Sequence, residues 1–473
     1  MPVNVRINRL FFLVVILFAV LIGFTSYWSV IDAEGLKDNE ANRRPLLEQQ
    51  RVRRGLIYAG DGTVLARNIA RGRGSDRFYR RTYPTRDLFA HPVGYSFVER
   101  GRTGLERYYE DDLAGQKGEF GTLLDEIRGA DREGDDLLTA LDSKTQLVAQ
   151  QGLAGRAGSV VAMNPQTGRV LAMVSIPSYD PNDVLNRFDD LRRAPGSPIL
   201  NRATQAGYPP GSTFKVVTAT AAIDSGRYTP LSVVSGKSPK IIDGVPLSNF
   251  GGEQFGPITL SQALTNSVNT VWAEVGVKLG KSTLFKYMDR YGFNQKPRVD
   301  LPASEKRASD VYDNGKLLDS SDAIDLGRVA IGQERLQVTP LQMAMVASAV
   351  ANGGSLMRPR IATKVRDPDG RTVRSFGPSE ESRVMKKSTA AALAAMMSRV
   401  VAEGTGTAAA LQGIDVAGKT GTAEKGQANQ AWFIGFAPVR DPQVAVAVTV
   451  EQTTGQGGTV AAPIAKRVME SVL

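Results

Sequence analysis

A serine and a lysine stand one helical turn apart in Tyr208-Pro209-Pro210-Gly211-Ser212-Thr213-Phe214-Lys215, in a chain with almost no other nucleophile chemistry. There is no cysteine, and His91 is the only histidine. A serine hydroxyl attacks a carbonyl only when a neighbouring base takes its proton. With imidazole available from one position, Lys215 is the leading candidate for that base. Pro209, Pro210 and Gly211 are helix start signals and Gly226 a stop signal, so a helix is expected from Ser212 to Ser225. Residues three apart share a helix face, which brings the Lys215 amine to the Ser212 hydroxyl. The helix N-terminus favours a developing alkoxide, and desolvation near other cations lowers a lysine's pKa, as a base requires.

Alone, S-x-x-K is weak evidence, because about one or two such matches arise by chance in a chain of this length. Two later motifs strengthen it. Ser267-Val268-Asn269 lies in a segment, Leu260 to Leu279, expected to be helical. It supplies a hydroxyl to relay a proton and an amide to hold a substrate amide. Lys419-Thr420-Gly421-Thr422 follows in a short strand beginning at Val416, expected at a sheet edge beside a substrate. There Gly421 removes a side chain where a ligand backbone approaches, Lys419 offers positive charge, and Thr420 and Thr422 offer hydroxyls to a carboxylate. The backbone amides of Ser212 and Thr422 together suit an oxyanion hole.

The elements that must position these groups fit within 473 residues, enough for two or three domains. The missing cysteines exclude disulfides, thiol catalysis and cysteine-ligated zinc, and one histidine argues against a histidine-rich metal site. No EF-hand spacing occurs, and neither a metal nor an organic cofactor is expected. The formal net charge of +10 is concentrated early, in Arg51, Arg53, Arg54, Arg67, Arg71, Arg73, Arg77, Arg80 and Arg81. These are expected to form a solvated basic face. No helix-turn-helix, zinc-finger or RNP pattern accompanies them, so nucleic acid is not an expected partner.

Residues 10–31 carry no charge and are long enough to cross a hydrocarbon core as one helix. Arg6 and Arg9 precede the run, Asp32 and Glu34 follow it, and Tyr27 and Trp28 sit where an interfacial belt would. That asymmetry places residues 1–9 as a short cytoplasmic tail and the remaining chain outside. A cleaved signal peptide shares the basic start and apolar core. This run exceeds a usual signal core, however, and no A-x-A site follows, so an uncleaved anchor is expected.

Residues 32–54 are polar and suit a stalk. Residues 55–137 read as a small, basic, mixed α/β module, with a hairpin turning at Gly60-Asp61-Gly62 and a short helix after Gly104. Residues 138–473 read as the main domain. Ser159 to Met163 and Arg169 to Val174 form a hairpin through Asn164-Pro165-Gln166-Thr167-Gly168, after a helix ending near Leu153. Ala431 to Ala437 and Val444 to Val450 give two late strands, and Thr339 to Asn352 a helix. Strands at both ends with helices between imply one sheet closed by distant parts of the chain and covered by helices.

The order Ser-x-x-Lys, Ser-x-Asn, Lys-Thr-Gly resembles the penicillin-recognising serine acyltransferases, the penicillin-binding proteins and serine β-lactamases. The likeness extends to Asn201-Arg202-Ala203, Gly332-Gln333, Thr339-Pro340-Leu341-Gln342, Gly404-Thr405-Gly406-Thr407-Ala408 and Trp432-Phe433-Ile434-Gly435. In the N-terminal module it includes Arg54-Gly55-Leu56-Ile57 and Gly104-Leu105-Glu106-Arg107-Tyr108. These are similar to class B penicillin-binding proteins, closest to the actinobacterial penicillin-binding protein A group. The resemblance implies an α+β transpeptidase fold, with a central, mainly antiparallel sheet flanked by helices. The N-terminal module is then a non-catalytic pedestal.

The resemblance also implies D,D-transpeptidation of peptidoglycan stem peptides, with β-lactams as covalent inhibitors. Ser212 attacks the penultimate D-alanyl carbonyl, D-alanine leaves, and an amine from another strand resolves the acyl-enzyme. Lys215 deprotonates Ser212, Ser267 relays the proton, and Asn269 orients Lys215 and the donor amide. Lys419, Thr420 and Thr422 bind the terminal carboxylate. Whether Lys215 is the sole base stays open. The pedestal is expected to dock a membrane glycosyltransferase or a divisome protein. D,D-carboxypeptidase activity and a non-catalytic β-lactam sensor or scaffold are the alternative readings. A sensor would carry several membrane helices, and an inactive scaffold would have lost part of its chemistry. His91 reads as a surface or structural residue, and Trp432 as core or cleft wall and not as a specific ligand contact.

Overall fold

The computed structural model describes residues 3–26, 50–73, 77–115, 133–313, 315–318, 323–425 and 428–473. The first helix, α1 (Val3–Ser26), exposes every side chain from Ile7 to Ser26. It is the one helix among the described residues long and apolar enough to cross a membrane, with mean hydropathy 2.5. It starts before the expected Leu10. Tyr27, Trp28 and the rest of the run to Ile31 lie outside the described residues, as does most of the expected stalk.

In the N-terminal module, β1 (Ile57–Tyr58) and β2 (Val64–Arg71) pair antiparallel around the expected turn. Asp61 fastens that turn by accepting from the Thr63 amide at 2.9 Å. β3 (Phe78–Thr82) continues the sheet beyond β2, and β4 (Asp136–Thr139) lies parallel to β1. A short helix, α2 (Gly104–Tyr108), carries the fully buried Glu106. The early arginines do not all form a solvated face. Arg54 and Arg81 are buried on either side of Glu106, at 2.9 and 2.5 Å from its two oxygens. A buried carboxylate is tolerated when paired in this way, whereas either charge alone would be costly.

The main sheet begins with the hairpin β5 (Gly158–Met163) and β6 (Val170–Ile176), whose turn is closed by Asn164 accepting from the Gln166 and Thr167 amides. β7 (Ala362–Arg366) and β8 (Thr372–Ser375) then depart to join the module, giving it the order β8-β7-β4-β1-β2-β3. The module read at 55–137 therefore has its sheet extended by strands from much later in the chain. β9 (Ala417–Lys425), β10 (Ala428–Ala437) and β11 (Val444–Thr453) complete the main sheet in the order β9-β10-β11-β5-β6, every neighbouring pair antiparallel. The late strands close on the early hairpin, as expected.

Seven helices position this sheet and its site: α3 (Ser143–Leu153), α4 (Lys215–Asp224), α5 (Leu260–Thr265), α6 (Asn269–Leu279), α7 (Pro340–Ala351), α8 (Lys387–Glu403) and α9 (Ala462–Val472). Strand alternation divides the core. Val161, Met163, Trp432, Ile434, Phe436 and Ala447 share one cluster with α4 and α7, while Val160, Ala162, Phe433, Val446 and Val448 share another with α3 and α9. Helix α7 is buried from Pro340 to Val350, consistent with its apolar character on all sides.

The helix expected over Leu260 to Leu279 is two helices. α5 ends at Thr265, where the Ser267 amide donates to Leu264 O and the Val268 amide to Ala263 O. This pair of bonds is a Schellman cap, with Ser267 in the left-handed position at φ 57°. Glycine usually takes that position, and a serine there costs about 1–2 kcal/mol. No glycine marks the break in sequence.

Candidate active site

Ser212 sits in a 3₁₀ turn, Gly211–Phe214, that leads directly into α4, so the expected helix has a tightened first turn. Its approach is fixed from three sides. Tyr208 exchanges backbone hydrogen bonds with Val338, the Gly211 amide donates to Gly332 O at 2.9 Å, and Trp432 Nε1 donates to Pro209 O at 3.0 Å. Trp432 is fully buried and packs edge-on against Tyr208. It is a core residue, one of the two readings expected, and it also seats the serine turn.

Behind the turn, Lys215 is fully buried. Its ammonium position lies 2.6 Å from Asn269 Oδ1, 2.7 Å from Ser267 O and 3.3 Å from Ser267 Oγ. The Asn269 amide nitrogen donates to Ser248 O at 3.3 Å, which turns its oxygen toward the lysine. Lys419, also fully buried, donates to the same Ser267 Oγ at 2.9 Å and to Thr420 O at 2.9 Å. One serine hydroxyl therefore bridges two buried amines. Burial, and then the neighbouring Lys419 charge, holds Lys215 well below the usual lysine range. Burial pushes Lys419 down to about 7.

β9 is the edge strand expected, and it brings Lys419, Thr420, Gly421 and Thr422 alongside the serine turn. The reason for Gly421 differs from the expectation. A Cβ there would lie 2.8 Å from Pro210 O and 2.9 Å from Thr213 Cγ2, so the space belongs to the serine turn and not to a ligand backbone. Thr420 Oγ1 is 2.6 Å from Thr405 Oγ1, and Thr422 Oγ1 accepts from the Gly457 amide at 3.2 Å.

These residues open onto a cleft of about 1110 Å³, lined by Ser212, Ser267, Asn269, Thr420, Gly421 and Thr422 together with Thr405, Thr407, Phe250, Gln333 and Gln456. Ser212, Lys215, Ser267, Asn269 and the Lys419-to-Thr422 strand thus converge on one place. Ser212 and Thr422 both line the cleft. Thr405 and Thr407 lie in the Gly404-to-Ala408 run that the sequence set apart. The contribution of the region around Gln456 carried no sequence signal. His91 lies elsewhere, buried with Nε2 at 2.9 Å from Pro198 O, and burial lowers its pKa to about 4.

The arrangement can do acyl-transfer chemistry. A buried amine whose pKa is lowered can accept a hydroxyl proton, and a bridging hydroxyl can pass it on. Residues 158–470 match a family model described as the penicillin binding protein transpeptidase domain, and residues 54–137 one described as the penicillin binding protein A dimerisation domain. The chain is 35% identical to the peptidoglycan D,D-transpeptidase PbpA of Mycolicibacterium smegmatis, covering 99% of both chains. It is 33% identical to the PbpA of Mycobacterium tuberculosis over the same shares. The imipenem acyl-enzyme complex of penicillin-binding protein A from M. tuberculosis superposes with a TM-score of 0.81 at 33% identity, covering 90% of this chain and 99% of that one.

Proposed function

Since this chain belongs to the penicillin-binding protein transpeptidase family, we propose that Ser212 is the nucleophile through which it cross-links peptidoglycan stem peptides. The enzyme is a peptidoglycan D,D-transpeptidase of cell-wall synthesis that β-lactams acylate. The observation that carries the assignment is the Lys215–Ser267–Lys419 bridge beside the serine turn. Neutral Lys215 takes the Ser212 proton as Oγ adds to the penultimate D-alanyl carbonyl. The oxyanion is held by the Ser212 and Thr422 amides. Ser267 hands the proton to the departing D-alanine nitrogen, the C–N bond breaks, and the acyl-enzyme remains. An acceptor amine then adds to that carbonyl, its proton returns through Ser267 and Lys215 to Ser212 Oγ, and the cross-link is released. Asn269 orients Lys215 and the donor amide. Protonated Lys419 uses two of its three donors on Ser267 and Thr420 O, which leaves one for the terminal carboxylate beside the Thr420 and Thr422 hydroxyls.

Residues 1–9 are the cytoplasmic tail of this reading, 10–31 the span, 32–54 the stalk, 55–137 the pedestal and 138–473 the catalytic domain outside the membrane. The exposed apolar surface of α1 supports the anchor, and the charge asymmetry around it supports the orientation. The pedestal is the surface offered to a membrane glycosyltransferase or divisome protein. Labelling by a fluorescent penicillin, compared between the wild type and Ser212→Ala, tests the nucleophile. Wild-type labelling should be lost in the variant, and equal labelling would overturn the assignment. Donor and acceptor stem peptides then test cross-linking, where D-alanine release without a joined product would count against it.

A further inference from the structure

Beyond the motif residues, one carboxylate is aimed at the loop that delivers Ser212. β10 and β11 run in register from Ala437 opposite Val444 to Ala431 opposite Val450, but the next pair is Asn429 opposite Thr453. Glu451 and Gln452 therefore face the single residue Gln430, a β-bulge. Gln452 takes φ 46°, a conformation that a side chain other than glycine's disfavours. Bulges re-aim side chains, and local strain of this kind collects at working sites.

The bulged Glu451 carboxylate accepts from Tyr208 OH at 2.6 Å and from Arg202 Nε at 2.7 Å. Arg202 in turn donates from its other two nitrogens to Ser197 O and Gly196 O. The Arg202 side chain is 5% exposed and that of Glu451 20%, so the pair is largely removed from water, where a charge-assisted bond is strong. Tyr208 is the residue from which the Pro209-Pro210-Gly211 turn hangs, and Trp432, on the adjacent strand, holds Pro209 O. The main sheet thus grips the serine turn at two successive residues, through a carboxylate on β11 and an indole on β10.

We propose that Glu451 is a positioning residue for acylation, which sets the Pro209–Gly211 turn and with it the Ser212 hydroxyl and amide. The proposal rests on the reading of Ser212 as nucleophile. A displacement of about 1 Å in a reacting group can cost a hundredfold in rate, so the effect belongs to the chemical step and not to ligand capture.

The test uses the full-length protein and saturation kinetics with a fluorescent penicillin, which separate the acylation rate constant from the preceding binding constant. Thermal melting and the titrated active fraction are measured beside them. Glu451→Ala should lower the rate constant by about 10- to 100-fold and move the binding constant by less than about threefold. Glu451→Gln, which keeps an acceptor oxygen, should recover most of the loss. Tyr208→Phe should lower the rate on its own, and it should add little in the Glu451→Ala background because it breaks the same link. It retains every buried carbon, so it carries the test whether or not Glu451→Ala folds. Wild-type rate constants in the active molecules of these variants would overturn the proposal, as would Glu451→Gln behaving no better than Glu451→Ala. Undiminished labelling of Ser212→Ala would instead remove the nucleophile assignment, a separate readout.

Discussion

Ser267 Oγ accepts from Lys419 Nζ at 2.9 Å while the Lys215 amine stands 3.3 Å from the same oxygen. A left-handed serine at the end of α5 is what brings that hydroxyl between two amines on different elements. Among the described residues, this hydroxyl lies within hydrogen-bond reach of both amines, and the proposed mechanism routes the proton through it. Ser267→Ala should therefore slow acylation by about 10²- to 10⁴-fold, the usual size of a lost proton transfer, with little change in melting temperature. Stopped-flow acylation by a fluorescent penicillin measures it, and a rate within a few-fold of wild type would remove Ser267 from the relay.

The depressed lysines set a pH dependence. Acylation needs neutral Lys215, so its rate should fall as pH drops through the lowered pKa of that amine. Lys419 contributes to that lowering after burial. Lys419→Met should therefore move the acid limb of the acylation rate to higher pH, and an unmoved limb would contradict the coupling.

Stability has its own sign. With its pKa near 7 in the fold and 10.5 in the unfolded chain, Lys419 binds fewer protons folded than unfolded between those values. Unfolding free energy from this group should then rise with pH across that window. Thermal melts from pH 7 to pH 10 should show a smaller rise for Lys419→Met than for wild type, and equal slopes would argue against a buried ammonium.

The chemistry was far more legible in the sequence than the geometry that delivers it. Residue type and order single out Ser212, Lys215, Ser267, Asn269 and Lys419 as candidates because each carries a group that acyl transfer needs, and the fold brings them together. Strands such as Val444 to Val450 are legible because apolar runs bounded by turn residues have few other uses. The break before α6 is not, since the residue that takes the left-handed turn is a serine inside an apolar stretch. Nor is the burial of Arg54 and Arg81, which depends on Glu106 arriving from a separate helix. Glu451 reads as an ordinary polar end to an apolar strand, because a bulge is visible only against the partner strand. For the two arginines and for the bulge, the deciding partner is distant in sequence.

Gly421 offers a direct test of how closely β9 and the serine turn must fit. Its φ lies outside the left-handed region, so Gly421→Ala introduces no backbone strain. The new Cβ would meet Pro210 O at 2.8 Å and the Thr213 amide nitrogen at 3.1 Å, both backbone atoms that cannot swing away. The strand and the turn must therefore part, which separates the Ser212 and Thr422 amides. If these amides form the proposed oxyanion hole, acylation should fall by about 10²- to 10³-fold, the cost of losing one oxyanion donor, while circular dichroism stays that of the wild type. Unimpaired acylation would show that the two elements have slack.

Asp300 is the corresponding joint between the N-terminal module and the main domain. It is 3% exposed, and its two oxygens accept from the Ile361 amide at 2.8 Å, the Ala362 amide at 2.8 Å and Tyr109 OH at 3.0 Å. Ala362 opens β7, the strand that leaves the main domain for the module's sheet, and Tyr109 follows α2 within the module. One carboxylate therefore holds the crossing at Ile361 and Ala362 to Tyr109 of the module. Asp300→Ala leaves two buried amides and a phenol without that acceptor, and each unsatisfied group costs about 1–3 kcal/mol. Total destabilisation should be about 3 kcal/mol or more, seen as a fall of several degrees in melting temperature. Asp300→Asn, which keeps one oxygen, should fall between. Because Asp300 lies outside the cleft lining, molecules that remain folded should acylate at the wild-type rate. A melting temperature unchanged in Asp300→Ala would mean that the sheet pairing of β4 with β7 holds the two parts together without this carboxylate.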